Sequence, residues 1–579
     1  MNEIIVGIDL GTTNSEVAII ENGQVHVITD NGRKILPSFV GIDDQGNILV
    51  GETARNQYLV YPERTVKSIK RLMGQDIKVD LAGHDYAPQE ISAIILKRLK
   101  AIAEQYVKQP ISKAVITVPA YFSDAQRQAT REAGEIAGLE VVRMINEPTA
   151  AALAYGGNQV EQKRMLVYDL GGGTFDVSVV NIEASVVEVL SSHGDNHLGG
   201  DDFDQQIIEY ILDHLIESKG VDARQHSQAL ARITRAAENA KFVLSDQPFV
   251  KIEEEYLLEH EGAAIHLSLE LSRLDYEDMI EDYINATIDS VHIALKGAKL
   301  TPVDIDEIVL VGGSTRTPCI RERLFKEFGF EPHSEVDPDL CVAMGAATQA
   351  AMISGQKVDA VLVDVTPYTY GTSALDYLNG EYYPYTYVPI IHKNSALPIR
   401  KTEAFFTNHD GQKVVDVTIY QGEDPDALNN IKIGEFCVEG LQDVEAGNVI
   451  TVTLALDLNG MLQVSAQEKA TGLEKSITIQ NALSRFELET LDSARRRVNK
   501  LFGQIDQASD VHTESPTDVV EACKLVAKAE ALFDKSSDED KEDMIDLIED
   551  IQTCIEENDS DRLKEAATKL ADIIYYLES

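Results

Sequence analysis

The stretch that decides the fold is Tyr168-Asp169-Leu170-Gly171-Gly172-Gly173-Thr174-Phe175-Asp176. An apolar run at residues 165–169 leads into a turn of three glycines and a threonine, and a second apolar run follows. Glycine lets a backbone approach a ligand closely and point N–H groups at anionic oxygens, and the threonine hydroxyl adds a donor. A single turn of this kind is usually only a turn, so a phosphate site needs support from elsewhere in the chain.

Two further segments supply that support. They are Ile8-Asp9-Leu10-Gly11-Thr12-Thr13-Asn14-Ser15 and Leu310-Val311-Gly312-Gly313-Ser314-Thr315-Arg316. The first repeats the order strand, Asp, Leu, Gly, turn and Thr, which predicts a duplicated α/β unit that faces itself across a cleft. Asp9 and Asp169 lie at matched strand ends, where carboxylates suit Mg²⁺ held largely through water. The chain has no GxxxxGK[ST] motif and neither matched turn opens a helix, so a P-loop and a Rossmann site fit poorly.

Length and charge limit the classes of function. A chain of 579 residues predicts three to five domains. There are 51 Lys and Arg against 97 Asp and Glu, and a net charge of -46 disfavours nucleic acid as a partner. The five cysteines are scattered, which disfavours a disulfide framework or a zinc site. No signal peptide and no apolar run of membrane-spanning length is recognisable, so we expect a cytoplasmic protein without a membrane partner.

The spacing of apolar residues, and with it the predicted secondary structure, changes along the chain. Residues 1–356 alternate apolar strand runs with amphipathic helices, for example at 89–107 and 202–215, which predicts an α/β region. Residues 365–483 carry short β-rich runs between turns, including the hairpin signal Asn459-Gly460, and predict an all-β sandwich. From residue 484 to residue 579 the apolar spacing is helical again.

The chain closely resembles the DnaK-type heat-shock chaperone family, the seventy-kilodalton class, on the actin-like ATPase fold. The resemblance covers nearly the whole chain, and the short segment after residues 70–74 and the short C-terminal end point to the HscC-like branch. It implies an actin-like ATPase domain at 1–356, an apolar linker at 357–364, a β-sandwich peptide-binding domain at 365–483 and a helical lid at 484–579. Its motifs here are residues 7–15, 118–122, 145–152, 169–176 and 312–316.

The resemblance also assigns roles in the nucleotide site. Lys70 matches the family's catalytic lysine, Thr174 the threonine that contacts the γ-phosphate, and Glu147 a carboxylate near metal and water, with Asp176 in the same cluster. The implied cofactors are ATP or ADP with Mg²⁺, and K⁺ is a further candidate ion. Asp9 and Asp169 are the implied metal residues. The implied nucleotide-binding residues are Thr12, Thr13, Gly171, Gly172, Gly173, Glu238, Lys241, Ser245, Gly312, Gly313, Ser314, Arg316 and Asp339.

Four residues match the family's communication between domains. Pro119 and Arg127 match its relay from the nucleotide, although from the residues alone they read as a strand end and a solvated helix face. Arg143 and Asp364 match positions that contact a J-domain co-chaperone. Asp364 ends the segment 359–364, which alone reads as an edge strand of the sandwich and by resemblance as a linker with two burial sites.

The resemblance places an extended apolar peptide in the β-domain, held by backbone hydrogen bonds and one apolar pocket. The matched positions are Thr372, Leu375, Phe405, Asn408, Val415 and Val417. Plain sandwich core is an alternative for Phe405, Val415 and Val417. Asn408 and the tyrosine-rich run 382–387 depart from the family pattern.

Three functions compete at this point. An ATP-driven chaperone would bind unfolded segments, a J-domain protein and a nucleotide exchange factor. A small-molecule kinase or a filament-forming protein on the same ATPase fold would use the same hairpins. The apolar linker and the β-plus-helix region favour the chaperone, because neither alternative needs them.

Overall fold

The computed structural model describes residues 4–156, 162–333, 337–356, 358, 360–478 and 488–503, and a few separate helical positions beyond residue 503. It divides into two compact units, Met1–Gly503 and Gln504–Ser579. The predicted lid helices after residue 503 therefore lie almost entirely outside the described residues. None of the helices in the described part is long and apolar enough to cross a membrane.

The first part of the α/β region is built on a six-stranded sheet. Its main path runs β11-β10-β1-β2-β3, with β4 attached to β2. β1 pairs antiparallel with β2 and parallel with β10. The strands here are β1 Ile5–Leu10, β2 Asn14–Glu21, β3 Gln24–Val27, β4 Leu36–Pro37, β5 Val40–Ile42, β6 Ile48–Val50, β7 Thr65–Val66, β8 Val79–Leu81, β9 His84–Tyr86, β10 Lys113–Val118 and β11 Glu140–Asn146.

The second part repeats this connectivity, as the paired motifs predict. Its sheet runs β17-β12-β13-β14-β18, where β12 pairs antiparallel with β13 and parallel with β17. β12 thus has the position of β1, and β17 that of β10. The strands here are β12 Lys163–Leu170, β13 Phe175–Glu183, β14 Val186–Asp195, β15 Phe249–His260, β16 Ala263–Ser272, β17 Glu307–Val311 and β18 Val361–Val363.

Helices cover both sheets and fill the space between them. The predicted helices at 89–107 and 202–215 are confirmed as α2 and α5, and α5 ends where Gly220 takes a positive φ of 71°. α4 and α10 contribute to an apolar cluster that both sheets share. The helices are α1 Glu52–Tyr58, α2 Pro88–Val107, α3 Asp124–Ile136, α4 Glu147–Gly156, α5 Gly200–Lys219, α6 Ser227–Asp246, α7 Arg273–Met279, α8 Glu281–Gly297, α9 Pro318–Phe328, α10 Cys341–Ile353 and α11 Leu488–Leu501.

The predicted sandwich consists of two four-stranded antiparallel sheets, β20-β19-β22-β23 and β21-β24-β25-β26. Residues of both sheets form one apolar core, to which Val449–Leu456 contributes every second side chain. The strands are β19 Tyr370–Leu378, β20 Glu381–Ile391, β21 Ile399–Phe406, β22 Val414–Gln421, β23 Ile431–Glu439, β24 Val449–Leu456, β25 Leu462–Glu468 and β26 Glu474–Thr478.

The segment before the sandwich belongs to the α/β region in this conformation. β18 pairs parallel with β14, from Val186–Val361 to Glu188–Val363, so the reading of this segment as a sandwich edge is wrong. A strand of three residues gains most of its hydrogen bonds from whichever sheet edge it joins, and local sequence does not select that edge.

Helix α11 also packs against the α/β region. Its Ala494 and Val498 join the core beneath α2 and α3. The Arg497 guanidinium pairs with the buried Glu90 carboxylate at 2.7 Å, and Arg495 donates to the Glu135 carbonyl at 2.8 Å. These contacts and β18 explain why the compact unit extends to Gly503. The boundaries expected at 356, 364 and 483 fall inside it and remain predictions.

Candidate functional site

The two matched hairpin turns face each other at close range. A Cβ built on Gly172, in the turn between β12 and β13, would lie 1.9 Å from the Thr13 hydroxyl oxygen of the opposite turn. Only glycine fits there. Gly312 in the third turn has φ of 80° and would meet the Leu170 carbonyl oxygen at 2.4 Å, so it too requires glycine.

These turns surround a cavity of about 520 Å³, a volume suited to a nucleotide-sized ligand. The Thr13 hydroxyl is buried here and has no hydrogen-bond partner among the described residues, so it is available to a ligand oxygen. Of the residues expected in the site, those that line the cavity are Asp9, Thr12, Thr13, Lys70, Glu147, Asp169, Gly171, Gly172, Thr174, Glu238, Lys241, Ser245, Gly312, Gly313, Ser314, Arg316 and Asp339.

Lys70 projects into this cavity from a short 3-10 turn, Ile69–Leu72. Its ammonium group donates to the Glu147 carboxylate over 2.5 Å, and both side chains are buried. Burial alone would lower the pKa of Lys70, but Glu147 and Asp9 outweigh it and the pKa is raised. The lysine is therefore a fixed cation at the wall of the cavity.

Two aspartates at the ends of β1 and β12 share this environment. Burial and the Glu147 carboxylate raise the pKa of Asp9 to about 7, although Lys70 and the Thr117 hydroxyl, which donates to Asp9 at 2.7 Å, act in the opposite direction. Burial, Glu147 and Asp176 raise the pKa of Asp169 well above its ordinary value. Such a crowded pair of carboxylates is chemically suited to a divalent cation completed by water and phosphate oxygens.

Asp176 and Gly173 occupy positions behind the cavity wall. The Asp176 carboxylate accepts the backbone N–H groups of Ala120 and Tyr121, each at 3.1 Å. Burial and Glu147 raise the pKa of Asp176, whereas these two N–H groups oppose the rise. Gly173 packs against Thr12 and Arg71. Pro119 is buried and directly follows β10 in the sequence. Asp176 therefore connects the site to the two residues that follow Pro119.

The helix face predicted for the adenosine side is present on α6. Glu238 pairs with Arg55 of α1 at 2.8 Å across the cleft, and Lys241 pairs with Asp204 at 2.8 Å. Ser245 lies one turn further along and donates to the Lys241 carbonyl. Phe242 lines the cavity with 53% of its surface exposed, so an aromatic ring stands there.

The opposite side of that pocket is held by the third turn. Ser314 donates to the Gly171 carbonyl at 2.9 Å, which ties the third turn to the second. The Arg316 guanidinium pairs with Asp339 at 2.7 Å and with Asp337 at 3.0 Å. Asp339 therefore positions Arg316 at the cavity rim.

The sequence reasoning missed several lining residues. Glu16 on β2 is buried at the cavity, and burial together with Asp9 raises its pKa. Asp201, at the start of α5, accepts a hydrogen bond from Ser68 at 2.7 Å. A carboxylate directly after the first repeated motif was the available signal for Glu16. Nothing local marks Asp201, because its partner lies 133 positions away.

A hydrogen-bonded path leads from Asp176, behind the wall of the cavity, to Asp364, directly after β18. Arg127 is 6% exposed, so its reading as a solvated residue is wrong. Its guanidinium donates to the Ala120 carbonyl at 3.0 Å and to the Asn146 side chain at 2.7 Å. Asn146 donates in turn to the buried Asp364 carboxylate at 2.9 Å. The path Asp176, Ala120, Arg127, Asn146 and Asp364 is continuous.

The sandwich touches the same path through the turn between β24 and β25. The Asn459 side-chain oxygen accepts the Met144 N–H at 3.0 Å, and its carbonyl accepts from Arg127 at 3.5 Å. Met461 joins an apolar cluster with Val118, Phe122 and Met144. Arg143 lies beside Asp364 and Asp457, and burial lowers its pKa.

The expected peptide-binding residues are divided between the two sheets of the sandwich. Thr372 is buried and donates to the Thr418 carbonyl at 2.8 Å, while Leu375 is 47% exposed. Val417 is in the sandwich core, with Phe405 and Val415 packed against it. Asn408 is exposed in the turn after β21, where its N–H donates to Gln412. In this conformation Val417 is therefore part of the sandwich core. That these residues bind a peptide remains a prediction.

Comparison with known proteins agrees with this geometry. The family model described as Hsp70 protein matches residues 5–80 and 75–579. The chain is 42% identical to the chaperone protein DnaK of Thermosipho africanus over 99% of this chain and 97% of the relative. It is also 42% identical to the chaperone protein DnaK of Thermotoga maritima, over 97% of this chain and 94% of the relative. The HscC-like branch remains a prediction. The chain therefore belongs to the Hsp70 family and is an ATP-dependent molecular chaperone with ATPase activity.

Proposed function

We propose that ATP hydrolysis in the cavity between the hairpins controls peptide binding by the sandwich through Arg127, Asn146 and Asp364. The observation that carries this proposal is the continuous path from Asp176, behind the nucleotide cavity, to Asp364 on the linker. A segment with two possible burial sites is a bistable element that a ligand can bias. The paired sheets support an actin-like ATPase fold for residues 1–356.

The chain's own groups account for most of the expected chemistry at the phosphates. Asp9 and Asp169 would hold Mg²⁺, which supplies charge neutralisation of the phosphates when bound. The backbone and hydroxyl groups of both hairpins would bind the β- and γ-phosphates, with Thr174 on the γ-phosphate. Lys70 would orient the attacking water and offset negative charge as it develops, and Glu147 fixes the lysine ammonium in place.

Pairing of β18 with β14 and docking of α11 support the further proposal that this conformation is the one with an open peptide site. Release of β18 would free the sandwich and close it on an extended apolar segment. A J-domain co-chaperone contacting Arg143 and Asp364, and a nucleotide exchange factor, are the partners we propose. The cytoplasm remains the predicted compartment.

Peptide-stimulated hydrolysis tests this function. Single-turnover ATP hydrolysis by the full chain should accelerate when an extended apolar peptide is added, and more so with a J-domain protein. A peptide of the same length in which Asp and Glu replace the apolar residues serves as control, because it cannot fill an apolar pocket. Phosphate transfer from ATP to a sugar or alcohol, without any peptide effect, would instead support the kinase hypothesis.

Replacing Asn459 by alanine is expected to weaken docking of the sandwich on the α/β region about tenfold. The change leaves the Met144 N–H without its acceptor at a partly buried position, and an unpaired donor costs about 1–3 kcal/mol. Hydrogen exchange at residues 361–363 measures the docked fraction, because β18 is protected only while it pairs with β14. Leu458→Ala, an exposed neighbour in the same turn, is the matched control. Equal protection in the two variants would show that this contact does not hold the domains together.

The affinity for Mg²⁺ in the presence of ADP is expected to rise about tenfold between pH 6 and pH 8. Asp9, with a pKa raised to about 7, must lose its proton before it binds the ion, so protons compete below that pH. Without the ion, the same raised pKa lowers the free energy of unfolding as the pH rises from about 4 to about 7. Calorimetric titration at several pH values measures the affinity. Asp44→Asn, which removes an exposed carboxylate elsewhere, is the control and should leave the pH dependence unchanged. An affinity independent of pH over this range would contradict the prediction.

A further inference from the structure

A second cavity of about 540 Å³ lies between the α/β region and the sandwich. Its volume matches that of the nucleotide cavity, about 520 Å³. Ser192, His193 and Lys296 belong to its α/β wall, and Lys393, Asn394 and Gln421 to its sandwich wall. Because each region supplies one wall, the complete cavity exists only while the two are docked.

Buried polar atoms without partners line this cavity. Gln421 is only 1% exposed, and neither the nitrogen nor the oxygen of its amide has a hydrogen-bond partner among the described residues. The same holds for the side-chain oxygen of Asn394 and for Nδ1 of His193. A buried amide left unpaired at both ends is costly, whereas a ligand that offers an acceptor and a donor side by side would satisfy it.

The charges on the walls favour an anion. Two lysines, Lys296 and Lys393, line the cavity. The acidic lining residue is Glu423, whose carboxylate already accepts the Thr369 N–H at 3.2 Å. Burial and Lys393 lower the pKa of His193, so its ring is neutral near pH 7. In a chain with a net charge of -46, this is a local excess of positive charge.

One wall of the cavity is aromatic, and its neighbouring rings are tilted by 45° and 42° to one another. The Tyr121 ring lies 5.1 Å from the His193 ring and 4.6 Å from the Tyr368 ring, measured between centroids. The Tyr368 hydroxyl donates to the Tyr121 carbonyl at 2.6 Å, which joins the segment before β19 to the segment after β10. The face of one such ring can pack against a planar group such as an amide or a heteroaromatic ring.

We propose that this cavity binds a small anion that carries an amide-type edge. The Gln421 amide would pair with that edge, and Lys296 and Lys393 would bind its carboxylate. A peptide C-terminus and a heteroaromatic carboxylate share this chemistry. Because the ligand needs both walls, it binds the docked arrangement more tightly and shifts the chain towards it. The ATPase and the peptide site are not required for this inference.

Calorimetry with the full chain tests the proposal. The parent chain saturated with a non-hydrolysable ATP analogue is used, so that the nucleotide cavity is occupied, and the probes are acetyl-diglycine, orotate and inorganic phosphate. Saturable binding of either carboxylate is expected, and the tighter of the two identifies the source. Phosphate binding as tightly as both would overturn the amide-edge requirement. If no probe binds at millimolar concentration, the proposed site is overturned, and the cavity holds only water.

Two variants locate the bound probe. Gln421→Leu should weaken binding at least about tenfold, because it removes the amide donor and the amide acceptor that would pair with the ligand's amide-type edge. Lys393→Gln, an exposed residue whose replacement does not disturb the core, should weaken binding about three- to tenfold. Lys326→Gln, an exposed lysine on α9, is the control and should leave the affinity within about twofold. Affinities that are unchanged in the first two variants would place the probe elsewhere and overturn the proposal.

The coupling to docking has a separate readout. By linkage, the preferred probe should slow hydrogen exchange at residues 361–363 by the same factor by which docking raises its affinity. Unchanged exchange at saturating probe would overturn the coupling, because a ligand held by both walls must favour their contact.

Discussion

Single-turnover ATP hydrolysis is expected to fall about 10²- to 10³-fold when Lys70 is replaced by alanine, while ATP affinity stays within about threefold. The Lys70 ammonium is a buried, fixed cation 2.5 Å from the Glu147 carboxylate. A charge fixed in advance acts mainly on the negative charge that develops during transfer of the γ-phosphate. Quenched hydrolysis assays on pre-formed enzyme–ATP complexes measure the rate, and equilibrium titration with a non-hydrolysable ATP analogue measures the affinity.

The control must separate chemistry from folding, because removing Lys70 leaves the Glu147 carboxylate buried without its partner. A double variant, Lys70→Met with Glu147→Gln, removes both charges and should melt closer to the parent than Lys70→Ala does. It should still hydrolyse ATP as slowly as the single variant. Turnover within about threefold of the parent in Lys70→Ala would remove this lysine from the catalytic role.

The second large effect is expected at the linker, where Asp364→Asn should reduce peptide stimulation of hydrolysis at least about tenfold. The Asp364 carboxylate accepts from Asn146 at 2.9 Å, Thr149 at 3.2 Å and the Val365 N–H at 2.8 Å. Hydrogen bonds to a charged group are worth about 1.5–3 kcal/mol, and the amide nitrogen of the variant would face a donor. Hydrolysis without peptide should stay within about twofold, because Asp364 does not line the nucleotide cavity.

Glu445→Gln, an exposed carboxylate in the sandwich, is the matched control for this variant and should retain full stimulation. Peptide affinity measured with ADP should not change, because the sandwich is then expected to act alone. Normal stimulation in Asp364→Asn would show that Asp364 is not needed for communication between the nucleotide cavity and the peptide site.

The parts of the structure that were predictable from sequence are those with a local cause. The glycines and threonines of the hairpins follow directly on strand ends, so their spacing alone predicted the cleft. The strand at 449–456 was predictable because apolar residues alternate at a period of two and one face is buried. The roles of Lys70 and Glu147 came from the family resemblance, since nothing within the 3-10 turn Ile69–Leu72 marks a catalytic lysine.

Other features depend on contacts between distant residues. The Arg55–Glu238 ion pair joins positions 183 apart, and Asn459 meets Met144 across 315 positions. Asn459-Gly460 indicated a hairpin correctly, yet the partner of that hairpin lies in another part of the fold. Val417 could not be assigned, because an inward-facing strand residue has the same spacing whether it fills a core or lines a pocket.

The docking of α11 has a consequence for the start of α2. Glu90 accepts the Ala87 N–H at 3.0 Å as part of the cap of α2, and the same carboxylate pairs with Arg497. When α11 departs, the Glu90 carboxylate keeps its cap and gains water, so it is not left as a stranded charge. The capping hydrogen bond at the start of α2 therefore does not depend on α11, so the first turn of α2 can stay formed whether or not α11 is docked.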